Sequence, residues 1–200
     1  MKKITILLFA ILAITTASFA QAQIALGIKG GLNFANIDVS SSSAAYNSRT
    51  GYHAGAFLLI KLSKIGIQPE IIFSRQGTSY KPVNGTSLDA RYDYVNIPII
   101  LKLYTVAGIN LQVGPQFGFL AGAAQDVVIN GATVSQDVKS SLKGSDISLA
   151  LGLGWDLPFG LTIDGRYNLG LSNNNDSGSS NIKNQVIQIS AGFKLFKFGK

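Results

Sequence analysis

Charged and ionisable residues recur at alternate positions within otherwise apolar runs of this 200-residue chain. Carboxylates placed near lysine and arginine are the groups from which acid–base catalysis, ion conduction or buried ion pairs are built. The residues that share this placement are Lys29, His53, Lys61, Glu70, Lys102, Asp156, Asp164, Arg166 and Lys194. Because a charge taken out of water must be paired, we expect the three carboxylates to pair with Lys102 and Arg166.

His53 is the single histidine of the chain, and the chain has no cysteine. Disulfides and thiolate metal sites are therefore excluded, and one histidine alone does not make a zinc site. Serine and aspartate are plentiful, but no nucleophile elbow surrounds them, and a triad would need a nucleophile and an orienting group aligned with His53. We therefore predict no catalytic residue, no metal site and no cofactor.

Two further patterns resemble ligand sites in part. The glycine-rich segment 27–31 suggests a phosphate loop, but it lacks a following helix and a Gly-Lys-Ser/Thr ending. Asp126, Asp137, Asp146 and Asp176 lie in polar connections, and their spacing matches no calcium loop. Residues 173–178, NNNDSG, are typical of a solvated loop tip. Neither pattern predicts a ligand.

The elements that position the charged residues are strands. In residues 93–104 every second side chain is apolar, and the alternate row is mixed and includes Asn96 and Lys102. Successive strand side chains point to opposite faces, so this pattern predicts a strand with one apolar face. Eight segments share it: 24–34, 52–63, 67–76, 93–104, 110–121, 147–157, 161–171 and 187–195. Proline removes a ladder donor, so we expect a bulge or an early turn at Pro69 and the same difficulty at Pro98.

The connections between these segments alternate in length. Long polar connections at 37–50, 77–90, 123–144 and 172–182 alternate with short ones at 64–66, 106–108 and 158–160. Long outer loops and short periplasmic turns are typical of an outer-membrane barrel, and an even number of strands leaves both ends in the periplasm. No later segment has about twenty continuous apolar residues, which excludes a helical membrane protein. The sequence predicts an all-β fold, an eight-stranded antiparallel up-and-down transmembrane barrel.

An eight-stranded barrel has an interior just wide enough for side chains to fill. We therefore interpret the inward-facing charges as a structural polar cluster of the lumen: Lys29, Lys61, Glu70, Lys102, Asp156, Asp164, Arg166 and Lys194. Arg75 is the one charge that we assign to a lipid-facing row. We expect it at the outer rim, because arginine at the bilayer midplane costs about 2–4 kcal/mol.

The first residues have the features of an export signal. Lys2 and Lys3 precede an uncharged, mostly apolar run at 4–17, and small residues then precede a cleavage site between Ala20 and Gln21. We predict a Sec-type signal peptide at 1–20, a barrel domain at 21–200, and a location in the bacterial outer membrane. The net charge of +7 comes from dispersed basic residues, which argues against nucleic-acid binding.

Several segments resemble the PorT-like outer-membrane β-barrel family of Bacteroidota. They are residues 27–33, 51–55, 68–71, 74–77, 94–102, 114–118 and 166–171. The resemblance extends from Ile24 to Phe198 and implies an outer-membrane barrel, without an established activity for most members. One branch of that family takes part in secretion linked to gliding. The C-terminus departs from the usual outer-membrane ending, since Gly199 and Lys200 follow Phe198.

These patterns predict an integral outer-membrane barrel with a filled lumen that is not an enzyme. Its role would be structural, or one of interaction through the extracellular loops, especially 123–144, or through the periplasmic rim. The expected partners are outer-membrane lipid and other envelope or secretion proteins, and the oligomeric state is open. The alternatives are a narrow porin or a transport- or secretion-associated barrel, a soluble lipocalin-like barrel with an apolar interior, and a membrane-embedded acyltransferase or protease.

Overall fold

A computed structural model describes residues 22–39, 46–80, 88–129, 132–139, 144–171 and 182–199. The predicted signal peptide and its cleavage site at Ala20 and Gln21 lie outside these residues. Nine strands are present within the described ranges: β1 (Ala22–Val39), β2 (Tyr46–Leu62), β3 (Ile65–Tyr80), β4 (Leu88–Tyr104), β5 (Ile109–Ile129), β6 (Ala132–Asp137), β7 (Ser145–Asp156), β8 (Leu161–Gly170) and β9 (Ile182–Phe198). None of the described residues form a helix long and apolar enough to cross a bilayer.

Eight of the strands close into a barrel. Around the barrel the order is β1, β2, β3, β4, β5, β7, β8 and β9, and every neighbouring pair is antiparallel. β9 pairs with β1 from Ile24↔Phe198 to Val39↔Ile182, which completes the circle. Closure leaves no barrel edge with unpaired backbone groups, as a bilayer requires. The predicted eight-stranded antiparallel barrel is confirmed.

The two faces of each strand differ as the alternation predicts. On β4, Ile97, Ile99 and Leu101 are exposed on the outer surface, whereas Asn96 and Lys102 are buried inside. The outer face is therefore apolar and the interior polar. This is the reverse of a lipocalin-like barrel, so that alternative is wrong. An apolar outer surface of this extent is stable when lipid surrounds it.

Short turns lie at one end of the barrel. Leu62 pairs with Ile65 across a two-residue turn, and Ser63 adopts a positive φ of 55° there. The turn that links β4 and β5 also has a positive φ, 83°, at Gly108. The start of β1 and the end of β9 lie at this same end, since Ile24 pairs with Phe198. We assign this end to the periplasm, because outer-membrane barrels have their short turns there.

The strands extend three to five residues into the predicted long connections at 37–50 and 77–90, and the predicted connection at 123–144 differs more. Residues 123–144 were expected to form a long outer loop, but β5 continues to Ile129 and β6 returns antiparallel to it, with Val127 opposite Val134. β7 pairs with β5 only as far as Phe119, so the β5–β6 hairpin extends past the point where β7 begins. The residues between β5 and β6 are Asn130 and Gly131, a dipeptide that strongly favours a two-residue hairpin.

The expected bulges at the prolines are also wrong. Pro69 pairs with Ile99 and the ladder resumes at Ile72↔Asn96 in the same register, so the proline interrupts the pairing without shifting it. Register shifts occur elsewhere, between Leu26 and Gly27 in the β1–β9 ladder among other places. Each proline removes one backbone donor from the ladder, and the register is the same on both sides of it, including Pro98↔Gln116 and Leu101↔Val113.

Candidate functional site

The lumen of the barrel holds the charged residues that the sequence analysis singled out. Along each strand, successive side chains alternate between lipid and lumen, and most lumenal positions carry polar side chains, with apolar ones such as Phe57, Leu59 and Ile100 among them. We call the following residues the lumen cluster: Lys29, Glu70, Lys102, Asp156, Asp164, Arg166 and Lys194. At most 7% of each of these side chains is exposed.

Arg166 and Glu70 form the central pair of the lumen cluster. Arg166 Nη1 donates to Glu70 Oε2 at 2.8 Å, and Nη2 donates to Oε1 at 2.6 Å. Gln68 Nε2 also donates to Glu70, and Gln112 Oε1 accepts from Arg166 Nε at 2.7 Å. Two parallel charge-assisted bonds of this kind are strong and fix the orientation of both groups.

Asp164 lies beside this pair and accepts from two other strands. Lys29 Nζ donates to Asp164 Oδ2 at 2.9 Å, and Gln112 Nε2 donates to Oδ1 at 2.6 Å. Lys102 Nζ is 3.7 Å from Asp164 Oδ1. The carboxylate is therefore surrounded by donors, as a buried anion requires.

Asp156 gathers a second set of donors nearer the periplasmic end. Lys102 Nζ donates to Oδ1 at 3.2 Å, while Lys194 Nζ and the Tyr104 hydroxyl donate to Oδ2 at 2.9 Å each. Lys61 differs from the rest of the predicted cluster. It is half-buried, and its Nζ lies 4.0 Å from the centre of the Tyr104 ring in a cation–π contact.

His53 belongs to a neutral layer on the outer side of the lumen cluster. Its Nδ1 lies 2.8 Å from Asn33 Oδ1, and its Nε2 lies 2.8 Å from Ser190 Oγ. Gln188 Nε2 also donates to Asn33 Oδ1, and Asn33 Nδ2 donates to Ser74 Oγ. An acceptor at Asn33 Oδ1 places the His53 proton on Nδ1, so the Ser190 hydroxyl donates to Nε2.

This layer supplies the alignment that the sequence analysis could not see. A serine, a histidine and an amide in this order are the parts of a nucleophile, a base and an orienting group. The serine of a working triad must also reach a substrate, yet Ser190 is 3% exposed and His53 is 2% exposed. The hydrogen bonds of the three residues thus satisfy buried polar groups of the lumen.

Glycines on the inner face of β7 make room for the lumen cluster. A methyl group on Gly154 would lie 2.6 Å from Asn110 Oδ1 and 2.7 Å from Asp164 Oδ1. Gly152 faces the Arg166 side chain in the same way. The alternating glycines of this strand were a visible signal that long side chains from other strands cross the lumen here.

The ion pair between Arg75 and Asp93 lies on the outer surface, and sequence reasoning missed it. Arg75, placed near the outer end of β3, donates from Nε to Asp93 Oδ1 at 2.6 Å and from Nη2 to Oδ2 at 2.9 Å. The expectation that Arg75 is the one charge in a lipid-facing row is therefore wrong, because Asp93 lies beside it. Asp93 lies four residues before Ile97 on β4, so the two side chains belong to the same lipid-facing row. The Tyr52 ring packs near the guanidinium, at 5.6 Å.

The family model of the outer membrane protein beta-barrel domain matches residues 19–176, more than half of the chain. The chain belongs to this family. The closed barrel and its apolar outer surface agree with this membership, which identifies an outer-membrane β-barrel protein.

Two solved structures show the same fold at low sequence identity. Neisserial surface protein A (NspA) has a TM-score of 0.54 and 12% identity, and the match covers 85% of this chain and 97% of that chain. Ail, the attachment invasion locus protein of Yersinia pestis, solved in complex with the heparin analogue sucrose octasulfate, has a TM-score of 0.50 and 16% identity. That match covers 89% of this chain and 99% of the Ail chain. No curated protein sequence matches this outer-membrane barrel.

Proposed function

We propose that this outer-membrane barrel has a closed lumen and a structural or interaction role, carried by its extracellular loops or its periplasmic rim. The protein would be exported through a Sec-type signal peptide and belong to the PorT-like branch of Bacteroidota barrels. Lipid and other envelope or secretion proteins would be its partners. The support for a closed lumen comes from the ion pairs that span it.

The Arg166–Glu70 pair is the observation that carries this proposal. β8 and β3 are four strands apart in a barrel of eight, so the two residues reach each other from opposite walls. Lys29 and Lys102 approach Asp164 from two further strands, which fills the same level. A hydrated ion would have to break several buried charge-assisted bonds in order to pass, and each is costly to leave unmade.

Conductance in planar bilayers tests the closed lumen. The wild-type barrel should give no sustained channels, and the double variant Glu70→Ala with Arg166→Ala should give small ones, because it removes the bonds that cross the lumen. The cluster has four cations against three carboxylates, so channels of this variant, with three cations against two, should favour anions. Sustained wild-type channels would replace the proposal with the narrow-pore alternative.

The absence of enzymatic activity is part of the same proposal, and Ser190 provides its test. An accessible activated serine reacts with fluorophosphonates, whereas a serine buried in the lumen does not. We expect no labelling of the folded protein, and the same low background for Ser190→Ala. Labelling that disappears in Ser190→Ala would instead make the Asn33–His53–Ser190 layer a hydrolase site.

Export and membrane location can be tested on the native protein. The intact mass should be that of a chain that starts at Gln21. The protein should fractionate with outer membranes, and on gels it should migrate faster before boiling than after it. A mass that retains the first twenty residues would contradict the signal-peptide cleavage. Recovery in the soluble periplasmic fraction would contradict integral insertion.

A further inference from the structure

The periplasmic end of the barrel has a surplus of lysines. Lys61, Lys64, Lys194 and Lys197 lie there, and Asp156, the last residue of β7, is the one carboxylate that the described strands place at this end. Both oxygens of Asp156 already accept hydrogen bonds, one of them from Lys194 Nζ at 2.9 Å. The other three lysines form no ion pair with any described residue, and we call these three the basic arc.

A β-bulge near the end of β9 turns Lys197 toward the inside of the barrel mouth. The register of β9 against β1 shifts at Leu195, which is the extra residue of the bulge. Beyond it Lys197 lies opposite Ala25, a fully buried residue of the inner face, while Phe198 is exposed on the outer surface. Strict alternation from Lys194 would place Lys197 toward lipid and Phe198 toward the lumen. The bulge therefore adds a cation to the mouth.

Lys61 lies on the same inner face of the mouth as Lys197. Lys61 is opposite Gln23, a buried residue of β1, and Lys197 is opposite Ala25 on the other edge of that strand. β1 thus separates the two lysines, and two strand spacings are about 10 Å. Lys197 is close enough to Lys61 to repel its ammonium group. Lys64 continues the arc on the turn that follows β2.

An apolar layer lies between the basic arc and the carboxylates of the lumen cluster. Ala25, Phe57 and Leu59 pack together, and each is at most 2% exposed. Leu59 is the next inward-facing residue after Lys61 on β2, and Phe57, the one after it, lies opposite Glu70. The charge of the arc is therefore presented to the periplasm.

Aromatic side chains surround the mouth on its lipid-facing side. Trp155, Phe159, Phe196 and Phe198 are exposed on the outer surface at this end. Such aromatic belts lie at the level of the lipid headgroups. The basic arc lies inside this ring of side chains, so it faces the periplasm and not the headgroups. A partner of the arc is therefore a periplasmic molecule.

The spacing of the lysines selects the kind of anion. Lys61 Nζ is held 4.0 Å from the centre of the Tyr104 ring, and Lys197 lies two strands away, so the two ammonium groups do not converge on one point. The arc has no arginine, whose planar fork is the group suited to bidentate recognition of a compact phosphate. Carboxylates three residues apart on an extended chain are themselves about 10 Å apart, which matches the two strand spacings.

We propose that the basic arc binds an acidic segment of a periplasmic protein, an extended stretch with carboxylates about three residues apart. One carboxylate pairs with Lys61 beside the Tyr104 ring, a second pairs with Lys197, and Lys64 adds attraction. This inference rests on the interaction role of the periplasmic rim proposed above, and it names the chemistry of the partner. It does not depend on whether the lumen conducts.

Fluorescence anisotropy of a labelled hexaglutamate peptide tests the basic arc. With the barrel in zwitterionic detergent micelles at low salt, we expect saturable binding whose affinity falls as salt is added, because salt screens exposed charges. Lys197→Gln should weaken binding about threefold, and the double variant with Lys61→Gln about tenfold, since each exposed ion pair contributes modestly. Both variants should keep the gel mobility of the folded barrel.

Lys139→Gln provides a matched control, because Lys139 is an exposed lysine at the outer end of the barrel. It changes the net charge by the same amount as Lys197→Gln and should leave peptide binding unchanged. Equal weakening by the two variants would mean that the net charge alone attracts the peptide, and would overturn the proposal. An absence of binding to folded wild-type barrel at low salt would overturn it too.

Inorganic phosphate is the competing probe. At equal ionic strength, sodium phosphate should displace the peptide no better than sodium chloride does. Displacement by phosphate at concentrations where chloride has no effect would assign the arc to a compact anion, contrary to the proposal. Failure to bind the peptide would leave the closed lumen intact, whereas sustained wild-type channels would contradict the closed lumen and leave the arc intact.

Discussion

The outer end of the lumen holds a small polar cavity that we call the outer niche, lined by Gln76, Tyr94, Asn96, Gln116, Asp146, Ser148, Asn168 and Val186. The lumen cluster and the outer niche differ in how their buried polar groups are satisfied. In the cluster, Glu70 and Arg166 are paired at 2.6 Å and 2.8 Å and bonded to further side chains. In the niche, Asn168 has neither of its amide atoms bonded within the described residues. The charged groups, whose burial costs most, are thus paired within the barrel, whereas buried amide atoms of the niche have no partner among the described residues.

Of the variants that test this difference, Glu70→Ala should lower the stability of the barrel most. Glu70→Ala leaves Arg166 and Lys29 buried beside one carboxylate fewer, and we expect a loss of about 3–5 kcal/mol in the free energy of unfolding. Urea titration followed by gel mobility measures this. The double variant that also carries Arg166→Ala should lose less than the two single losses combined, because the pair acts as one unit. A stability for Glu70→Ala near that of wild type would show that the pair is not a structural one.

A smaller loss is expected in the neutral layer that separates the two regions. Asn33→Leu removes the acceptor of both His53 Nδ1 and Gln188 Nε2, and the expected cost is about 2–3 kcal/mol, since each orphaned buried group costs about 1–3 kcal/mol. The same urea titration measures it. An unchanged unfolding midpoint would mean that water replaces the amide at no cost.

The niche should respond with the opposite sign. Asn168→Leu removes two unpartnered atoms at nearly constant volume, so we expect the free energy of unfolding to be unchanged or raised by up to about 1 kcal/mol. Comparison with Asn33→Leu matches the substitution and changes the surroundings alone. A loss as large as that of Asn33→Leu would show that the Asn168 amide is satisfied in solution.

Loss of the ion pair between Arg75 and Asp93 at the outer end of the barrel should have the smallest effect on stability. Asp93→Asn weakens the bond to Arg75, but both side chains are partly exposed at the outer end, where water and salt screen them. We expect an unfolding midpoint close to that of wild type, and no difference at all in high salt. A clear midpoint shift that persists in high salt would assign the pair to a less hydrated environment.

Much of the fold could be predicted from the sequence because a two-residue period records which face meets lipid. Residues 93–104 are one example, and their alternation alone placed Lys102 inside and Ile99 outside. The β5–β6 hairpin was missed because polar residues around Asp126 and Asp137 resemble a solvated loop when the Asn130-Gly131 turn signal is overlooked.

For the lumen cluster, the sequence predicted which residues face the lumen, but it did not predict which of them pair with each other. Parity placed Glu70 and Arg166 in the lumen, but their contact from opposite walls depends on how the strands stagger around the barrel, which no local pattern records. The alignment of Ser190 with His53 was invisible for the same reason. The unsatisfied hydrogen-bonding atoms of Asn168 were even harder to predict from sequence, because they depend on which side chains the neighbouring strands place beside the amide.

The pairing of β1 with β9 has a consequence for how the barrel assembles. The partners Ile24 and Phe198 are nearly as far apart along the chain as the described residues allow. β1 can form its ladder with β2 early, but its other edge stays open until the last strand arrives. Contacts of such long range form slowly, and an open edge meanwhile invites pairing with other chains. The time between the first hairpin and closure is therefore the interval in which this protein most needs a chaperone.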